Sequence, residues 1–122
     1  MTIHESAEDY LEAILILSEQ HGSARPVDIA THLGVSKPSV SFAMKRLREN
    51  GYVDGKVGGS VTLTEAGEAI ARRILERHRL LTLFLMRLGV SEETARADAC
   101  KLEHDLSDET FAAIQKHAQM HS

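Results

Sequence analysis

Apolar side chains recur at helical spacing in three separate runs along the first half of this chain. Residues 4–20 form the first run. A shorter run begins at Pro26, which is tolerated in the first turn of a helix, and stops at Gly34. Ser36 is a favourable N-cap for a third run, which ends near Asn50. The spacing therefore predicts three helices in this half.

Only the residues GVS separate the second and third runs, and so short a connection is typical of a helix-turn-helix. Beyond the third run, alternating residues in YVDGKV and SVTLT flank the pair Gly58–Gly59. Alternation around a glycine turn predicts a β-hairpin. Helix, turn, helix and hairpin together indicate a winged helix.

The second half of the chain predicts three more helices. Thr64 can cap a long fourth helix from about Glu65 to Leu88, and seven of the nine residues from Leu80 to Leu88 are apolar. A helix that is apolar on nearly all sides needs burial on two faces, and a second copy of the chain is the simplest cover. Ser91 and Ser107 can cap the fifth and sixth helices.

Composition and charge narrow the class of protein. With 122 residues and a single cysteine, the chain can form one or two small units without an internal disulfide, so a cytoplasmic setting is expected. No apolar run approaches the roughly 18 residues of a membrane span. The net charge is −4, yet residues 36–60 hold five basic side chains against two acidic ones. This local excess permits a nucleic-acid partner.

In a helix-turn-helix the second helix enters the DNA major groove, led by its N-terminal residues. The candidates for that role have short or positively charged side chains, and further basic residues would reach flanking phosphates. The candidate DNA contacts are Ser36, Lys37, Pro38, Ser39 and Ser41, then Lys45, Arg46 and Arg48 further along, with Lys56 in the wing. An alternative is a protein-interaction module whose basic residues form a solvated helix face.

Metal-donor side chains also stand at helical spacing, three or four residues apart, so that members of each group share a helix face. They are Asp9 and Glu12 on the first helix, His78 on the fourth, and Cys100, Glu103 and His104 on the fifth. If these helices meet, six donors converge, and a divalent cation would offset the cost of burying the acids. Taken separately, each group can also be explained without a metal, as a solvated acidic face, a core histidine or a small buried cysteine.

These motifs resemble the metal-dependent repressors of the diphtheria-toxin-repressor and manganese-transport-regulator family. The resemblance runs over nearly the whole chain and is carried by EDYLEAI, SKPSVS, LTEAGEAIARRILERHRLL and CKLEHDLS. It implies a homodimer of winged-helix subunits that binds operator DNA when loaded with Mn(II) or Fe(II) and represses metal-uptake genes. The family's ligand positions fall on the same six donors, Asp9, Glu12, His78, Cys100, Glu103 and His104.

The chain departs from the family pattern in three places. It combines Asp9, which resembles the manganese-type branch, with Cys100, which resembles the iron-type branch. Thr82 and Arg96 stand where a carboxylate and an ancillary histidine are common, so a second metal site of the iron-branch kind is not expected. Phe42 replaces a polar base-contacting residue of some members and is expected to touch a thymine methyl group.

The expected fold class is mainly α with a small β-hairpin wing. A winged helix-turn-helix DNA-binding domain is expected over residues 1–72, and an all-α dimerisation and metal-binding domain over residues 73–122. Because the chain ends at Ser122, the C-terminal SH3-like domain of longer relatives is expected to be absent.

The expected function is a metal-dependent transcriptional repressor acting on double-stranded operator DNA as a homodimer. Two carboxylates on the first helix favour Mn(II) and a thiolate favours Fe(II), with manganese slightly preferred, while Co(II), Ni(II) or Zn(II) could substitute in vitro. No hydrolase motif is found, so no enzyme activity, small-molecule substrate or membrane partner is expected. The alternative is a winged-helix regulator with a structural metal site or a non-metal effector.

Overall fold

Over residues 5–56 and 58–120, which it describes, the computed structural model contains six helices and one two-stranded sheet. In chain order these are α1 (Glu5–His21), α2 (Pro26–Leu33), α3 (Lys37–Glu49), β1 (Val53–Asp54), β2 (Thr62–Leu63), α4 (Glu65–Arg87), α5 (Glu92–Asp105) and α6 (Asp108–Met120). The chain divides into two compact units, one ending at Arg72 and the other beginning at Arg73, within α4. The predicted fold class, mainly helical with a small hairpin, is confirmed.

The first unit is built on the apolar faces of α1, α2 and α3. Its fully buried side chains include Leu11, Ile14, Ile29, Val40 and Met44. These positions follow the helical spacing seen in the sequence, because each helix turns one apolar stripe toward the others. Tyr10 is buried as well, and this burial raises the pKa of its hydroxyl because the charged phenolate would lose its hydration.

The turn between α2 and α3 follows from two local features. Gly34 adopts a left-handed conformation with φ of 68°, and its N–H donates to the carbonyl of Ala30. Ser36 then caps α3, because its hydroxyl oxygen accepts the N–H of Ser39 at 3.2 Å. The end of α2 at Gly34 and the start of α3 at Ser36 were both predicted from residue type, and the helix-turn-helix is confirmed.

The wing differs in detail from a simple hairpin around Gly58–Gly59. Such a two-residue turn would place Asp54 opposite Leu63, whereas Asp54 pairs with Thr62 and Val53 pairs with Leu63. On its other side, β2 is continued by Val61, whose N–H donates to the carbonyl of Ala24 at 2.7 Å and whose carbonyl accepts the N–H of Ala24 at 3.2 Å. The connection between the strands therefore runs over residues 55–61.

The start of α4 is fixed by Thr64. Its hydroxyl donates to the carbonyl of Gly51 at 2.7 Å and accepts the N–H of Gly67 at 3.1 Å. Gly67 is buried, and a β-carbon added there would overlap the carbonyl oxygen of Tyr52. The absence of a side chain at Gly67 thus lets the first turn of α4 pack against the backbone that leads into β1.

In the second unit, a buried arginine joins α4 to the α5–α6 connection. Arg77, 8% exposed, donates to the carbonyls of Glu103 and Leu106 at 3.3 and 3.2 Å, and pairs with Asp108. Its guanidinium also lies 4.8 Å from the ring centroid of Phe111. Arginine satisfies the last carbonyls of α5 here because its planar fork offers several donors.

Candidate metal centre and nucleic-acid interface

Three of the predicted metal donors come together in the second unit. His78 lies on α4, and Cys100 and Glu103 lie one turn apart on α5. One ligand atom from each residue lies within 4.8 Å of the other two. An imidazole nitrogen, a thiol sulfur and a carboxylate oxygen at this spacing are donors that a first-row divalent metal ion accepts.

Glu103 is the central residue of this cluster. Its side chain is fully buried, and Oε2 lies 3.0 Å from Nδ1 of His78. Oε1 is buried too and has no hydrogen-bond partner among the described residues, although Nε2 of His104 lies 3.4 Å away. A buried carboxylate oxygen without a hydrogen bond is costly unless a cation neutralises it. The residues present therefore fit a divalent metal ion.

Cys100 is exposed, so it does not serve as the small buried hydrophobe that one interpretation of the sequence allowed. It is the protein's sole cysteine, and it faces the same cluster as His78 and Glu103. A thiol at this location is accessible to metal.

His104 follows Glu103 on α5, and the other two predicted donors lie in the first unit. Asp9 and Glu12 occupy α1 at a spacing of three residues, which puts them on one helix face, and both are partly buried. Their participation in a common site with the donors of α4 and α5 stays a prediction.

The predicted DNA contacts of α3 form one solvent-facing surface. The exposed residues at and after its N-terminus are Ser36, Lys37, Pro38, Ser39, Ser41, Phe42, Lys45 and Arg46. Phe42 is 62% exposed, and the guanidinium of Arg46 lies 5.7 Å from its ring centroid. A large aromatic side chain left in water on a predicted reading helix is a candidate contact for an apolar base edge.

The structure adds two features to this region that the sequence did not predict. Arg48 turns away from the exposed surface of α3 and donates to the wing carbonyls of Gly55 and Lys56, at 3.1 and 3.2 Å. Arg25, which the sequence did not single out, lines a cleft of about 470 Å³ between α3 and the wing, together with Lys37. The sequence around Arg25 does not single it out, because its place in this cleft depends on how the wing folds beside α3.

The second unit leaves several large apolar side chains in solvent. They are Leu83 and Met86 in the last turns of α4, Leu88 directly after it, and Met120 at the end of α6. We call these four residues the apolar patch. Among the described residues, no helix is both long enough and apolar enough to cross a membrane.

Two family models cover most of the chain. Residues 2–58 match the iron dependent repressor N-terminal DNA binding domain, and residues 64–120 match the iron dependent repressor metal binding and dimerisation domain. The chain is 43% identical to the transcriptional regulator MntR of Escherichia coli O6:H1 over 117 residues, which is 96% of this chain and 76% of that protein. It is 41% identical to MntR of Geobacillus kaustophilus over 102 residues, which is 84% of this chain and 72% of that protein.

Solved structures show the same fold. A manganese-dependent transcriptional repressor in complex with manganese superposes with a TM-score of 0.83 at 35% identity, over 91% of this chain and 51% of that one. The crystal structure of T. acidophilum IdeR gives a TM-score of 0.83 at 28% identity, over 98% of this chain and 55% of that one. The chain thus spans about half the length of these solved relatives.

A winged helix-turn-helix followed by a helical unit with a cluster of metal donors around a buried carboxylate is typical of a metal-responsive transcriptional regulator. The chain belongs to the iron-dependent repressor family, and it is similar to the MntR regulators within that family. It is a metal-dependent transcriptional repressor with a DNA-binding domain and a metal-binding and dimerisation domain. Members of this family are transcriptional regulators and not enzymes.

Proposed function

We propose that this repressor responds to Mn(II) and, when loaded, binds operator DNA in the cytoplasm to turn off metal-uptake genes. The observation that carries the proposal is Glu103, a buried carboxylate beside an imidazole and a thiol, one oxygen of which has no hydrogen bond to any described residue. The similarity to a solved manganese-dependent repressor in complex with manganese supports the choice of ion. Fe(II) is the competing ion, because Cys100 supplies a soft donor.

The proposed ligand set combines carboxylate, imidazole and thiolate donors. It consists of Asp9, Glu12, His78, Cys100, Glu103 and His104. Donors on α1 and on α4 and α5 would be held together by one cation, which offsets the repulsion among the acids. Because α1 leads directly into the helix-turn-helix, residues 9 and 12 would couple metal loading to the placement of the DNA-reading helix.

This coupling can regulate DNA binding only if metal favours the DNA-competent arrangement over others. In a dimer, that arrangement presents two α3 helices to successive major grooves, roughly 34 Å apart. Without the cation, the charges of Asp9, Glu12 and Glu103 oppose the same arrangement. Metal loading would also lower the negative charge of a protein whose net charge is −4 before it approaches phosphates.

A second copy of the chain is the proposed cover for the apolar patch. Leu83 and Leu88 are 45% and 67% exposed, and Met120 is 71% exposed. The patch lies within residues 64–120, the part that matches a metal binding and dimerisation domain. A homodimer would remove these side chains from water and supply the two DNA-reading helices that a palindromic operator needs.

The proposed DNA contacts divide by chemistry. Phosphates would be contacted by Lys37, Lys45, Arg46 and, in the wing, Lys56, while the short hydroxyls of Ser36, Ser39 and Ser41 and the ring of Pro38 allow close approach to the groove. Phe42 would contact a thymine methyl group and so contribute to sequence preference.

Equilibrium dialysis against Mn(II), Fe(II), Co(II), Ni(II) or Zn(II), followed by metal analysis, tests the proposed site. Wild type should retain Mn(II) in a stoichiometric amount, and Glu103→Ala should lose it. The exposed α4 residue Glu76 offers a matched control, since Glu76→Ala removes a carboxylate outside the cluster. Equal Mn(II) retention by wild type and Glu103→Ala would refute the site, and retention of Fe(II) but not Mn(II) would refute the choice of ion.

A further inference from the structure

The side chain of Arg48 makes two hydrogen bonds to the backbone of the wing. It lies in the last turn of α3, and its Nε donates to the carbonyl of Gly55 at 3.1 Å. A terminal nitrogen of the same guanidinium donates to the carbonyl of Lys56 at 3.2 Å. Two successive carbonyls are thus held by one rigid planar group, which fixes both distance and orientation.

The backbone that Arg48 holds is itself closely constrained. Gly55 has φ of 127°, and a β-carbon there would overlap the carbonyl oxygen of Ser60 on the other side of the loop. The carbonyl of Lys56 also accepts the N–H of Gly59 at 2.9 Å. One carbonyl therefore links the turn at the tip of the wing to the end of α3 through Arg48.

The other basic residues of α3 have different surroundings. Lys45 and Arg46 are exposed, and Arg46 lies over the ring of Phe42 on the proposed reading surface. Arg48 is partly buried, and both of its hydrogen bonds are made to the wing. Its geometry suits a tether between two DNA-contacting elements better than a contact with phosphate.

We propose that Arg48 is a positioning residue for DNA binding, which sets the wing against α3 and leaves phosphate contact to its neighbours. The proposal rests on the DNA binding proposed above. Arg48 would maintain the cleft of about 470 Å³ between α3 and the wing, which is lined by Arg25, Lys37 and Ser41 on one side and Gly58, Gly59 and Ser60 on the other. With the cleft held open, Lys37 and Lys56 can contact one duplex together.

The test compares Arg48→Gln with Arg46→Gln, which removes the same charge from an exposed position of the same helix. The probe is a duplex selected from a random-sequence pool by the Mn(II)-loaded wild-type protein, and affinity is measured over a range of salt concentrations. Loss of one phosphate contact should make the slope of log affinity against log salt shallower by about 0.9, and we expect this for Arg46→Gln. Arg48→Gln should lower affinity about tenfold or more while the slope changes by less than half that amount, because the untethered wing must be ordered on binding but Lys56 still reaches its phosphate in the complex.

Arg48→Lys provides the second variant, and it carries the test if Arg48→Gln does not fold. Lysine keeps the charge and would preserve a phosphate contact, but it cannot hold two carbonyls in a fixed plane. We expect Arg48→Lys to bind as weakly as Arg48→Gln, and the Gly59 amide to exchange its proton faster in both variants than in wild type or Arg46→Gln. Wild-type affinity in Arg48→Lys would overturn this inference without touching the proposed function. A slope shallower by about 0.9 in Arg48→Gln would do the same. A wild type that selects no duplex would overturn the proposed function as well.

Discussion

At the scale of single residues, Glu103 decides whether the donor cluster is a metal site. Spacing alone predicted that Cys100, Glu103 and His104 share a face of α5, because helical periodicity is local. The sequence could not show that Glu103 is fully buried with one oxygen lacking a hydrogen bond among the described residues. Burial depends on which other helices pack against α5, which is a property of the whole fold.

Replacing Glu103 with glutamine should separate metal binding from folding. The amide keeps a similar shape and can still accept a hydrogen bond from His78, so the metal-free variant should retain wild-type stability within about 1 kcal/mol. Metal at one hundred times its dissociation constant should stabilise wild type by about 2.7 kcal/mol and leave Glu103→Gln unchanged. Thermal unfolding with and without Mn(II) measures both quantities. Glu76→Gln should behave as wild type, and an equal metal-induced gain in Glu103→Gln would contradict the assignment.

Cys100 gives a direct spectroscopic test of the thiolate ligand. Because the chain has one cysteine, a thiolate-to-cobalt charge-transfer band in the Co(II)-loaded protein can arise from no other residue. We expect this band in wild type under reducing conditions and its loss in Cys100→Glu, together with a weaker response to Fe(II) relative to Mn(II). If wild type binds Co(II) without the band, Cys100 is not a ligand.

At the scale of elements, the sequence predicted correctly those features that depend on residues close together along the chain. The caps at Ser36, Ser91 and Ser107 are present, each accepting the backbone N–H of the residue three positions later. The register of the wing was not predictable, because the bond between Ala24 and Val61 joins residues far apart in sequence. The hydrogen bonds of Arg77 to the end of α5 were missed for the same reason. Those of Arg48 reach residues nearby in sequence, but they depend on how the wing folds beside α3.

Gly67 offers a test of how the first turn of α4 packs on the wing. In an open helix position, glycine to alanine would stabilise by about 1 kcal/mol. Here the added methyl group would overlap the carbonyl of Tyr52, so we expect Gly67→Ala to lower the free energy of unfolding by about 1–3 kcal/mol.

Urea unfolding of Gly67→Ala measures this change, and Gly59→Ala is the matched control. A β-carbon at Gly59 would meet its neighbours at 3.5 and 3.6 Å, which is ordinary contact distance. Gly59→Ala should therefore change stability by less than about 0.5 kcal/mol. A Gly67→Ala protein as stable as wild type would show that the wing does not pack closely against α4.

At the scale of the whole molecule, the proposed dimer explains why the second half of α4 is apolar nearly all round. Leu83→Lys places a charge within the apolar patch, where burial against a second copy would be costly. Sedimentation should give twice the chain mass for wild type and a shift toward the monomer mass for Leu83→Lys.

Gln20→Lys adds the same charge at an exposed position near the end of α1 and should leave the dimer intact. A monomeric wild type under the same conditions would remove the basis for two paired reading helices. Dimeric Leu83→Lys would place the interface elsewhere on the chain.

Metal loading is proposed to control DNA binding, and a metal titration tests this coupling. Fluorescence anisotropy of the selected duplex is followed as Mn(II) is added to metal-free protein and then removed with a chelator. We expect binding that rises with Mn(II), disappears with chelator, and is absent in Glu103→Gln at the same Mn(II) concentration. Equal affinity of the metal-free and Mn(II)-loaded wild type for the duplex would contradict it.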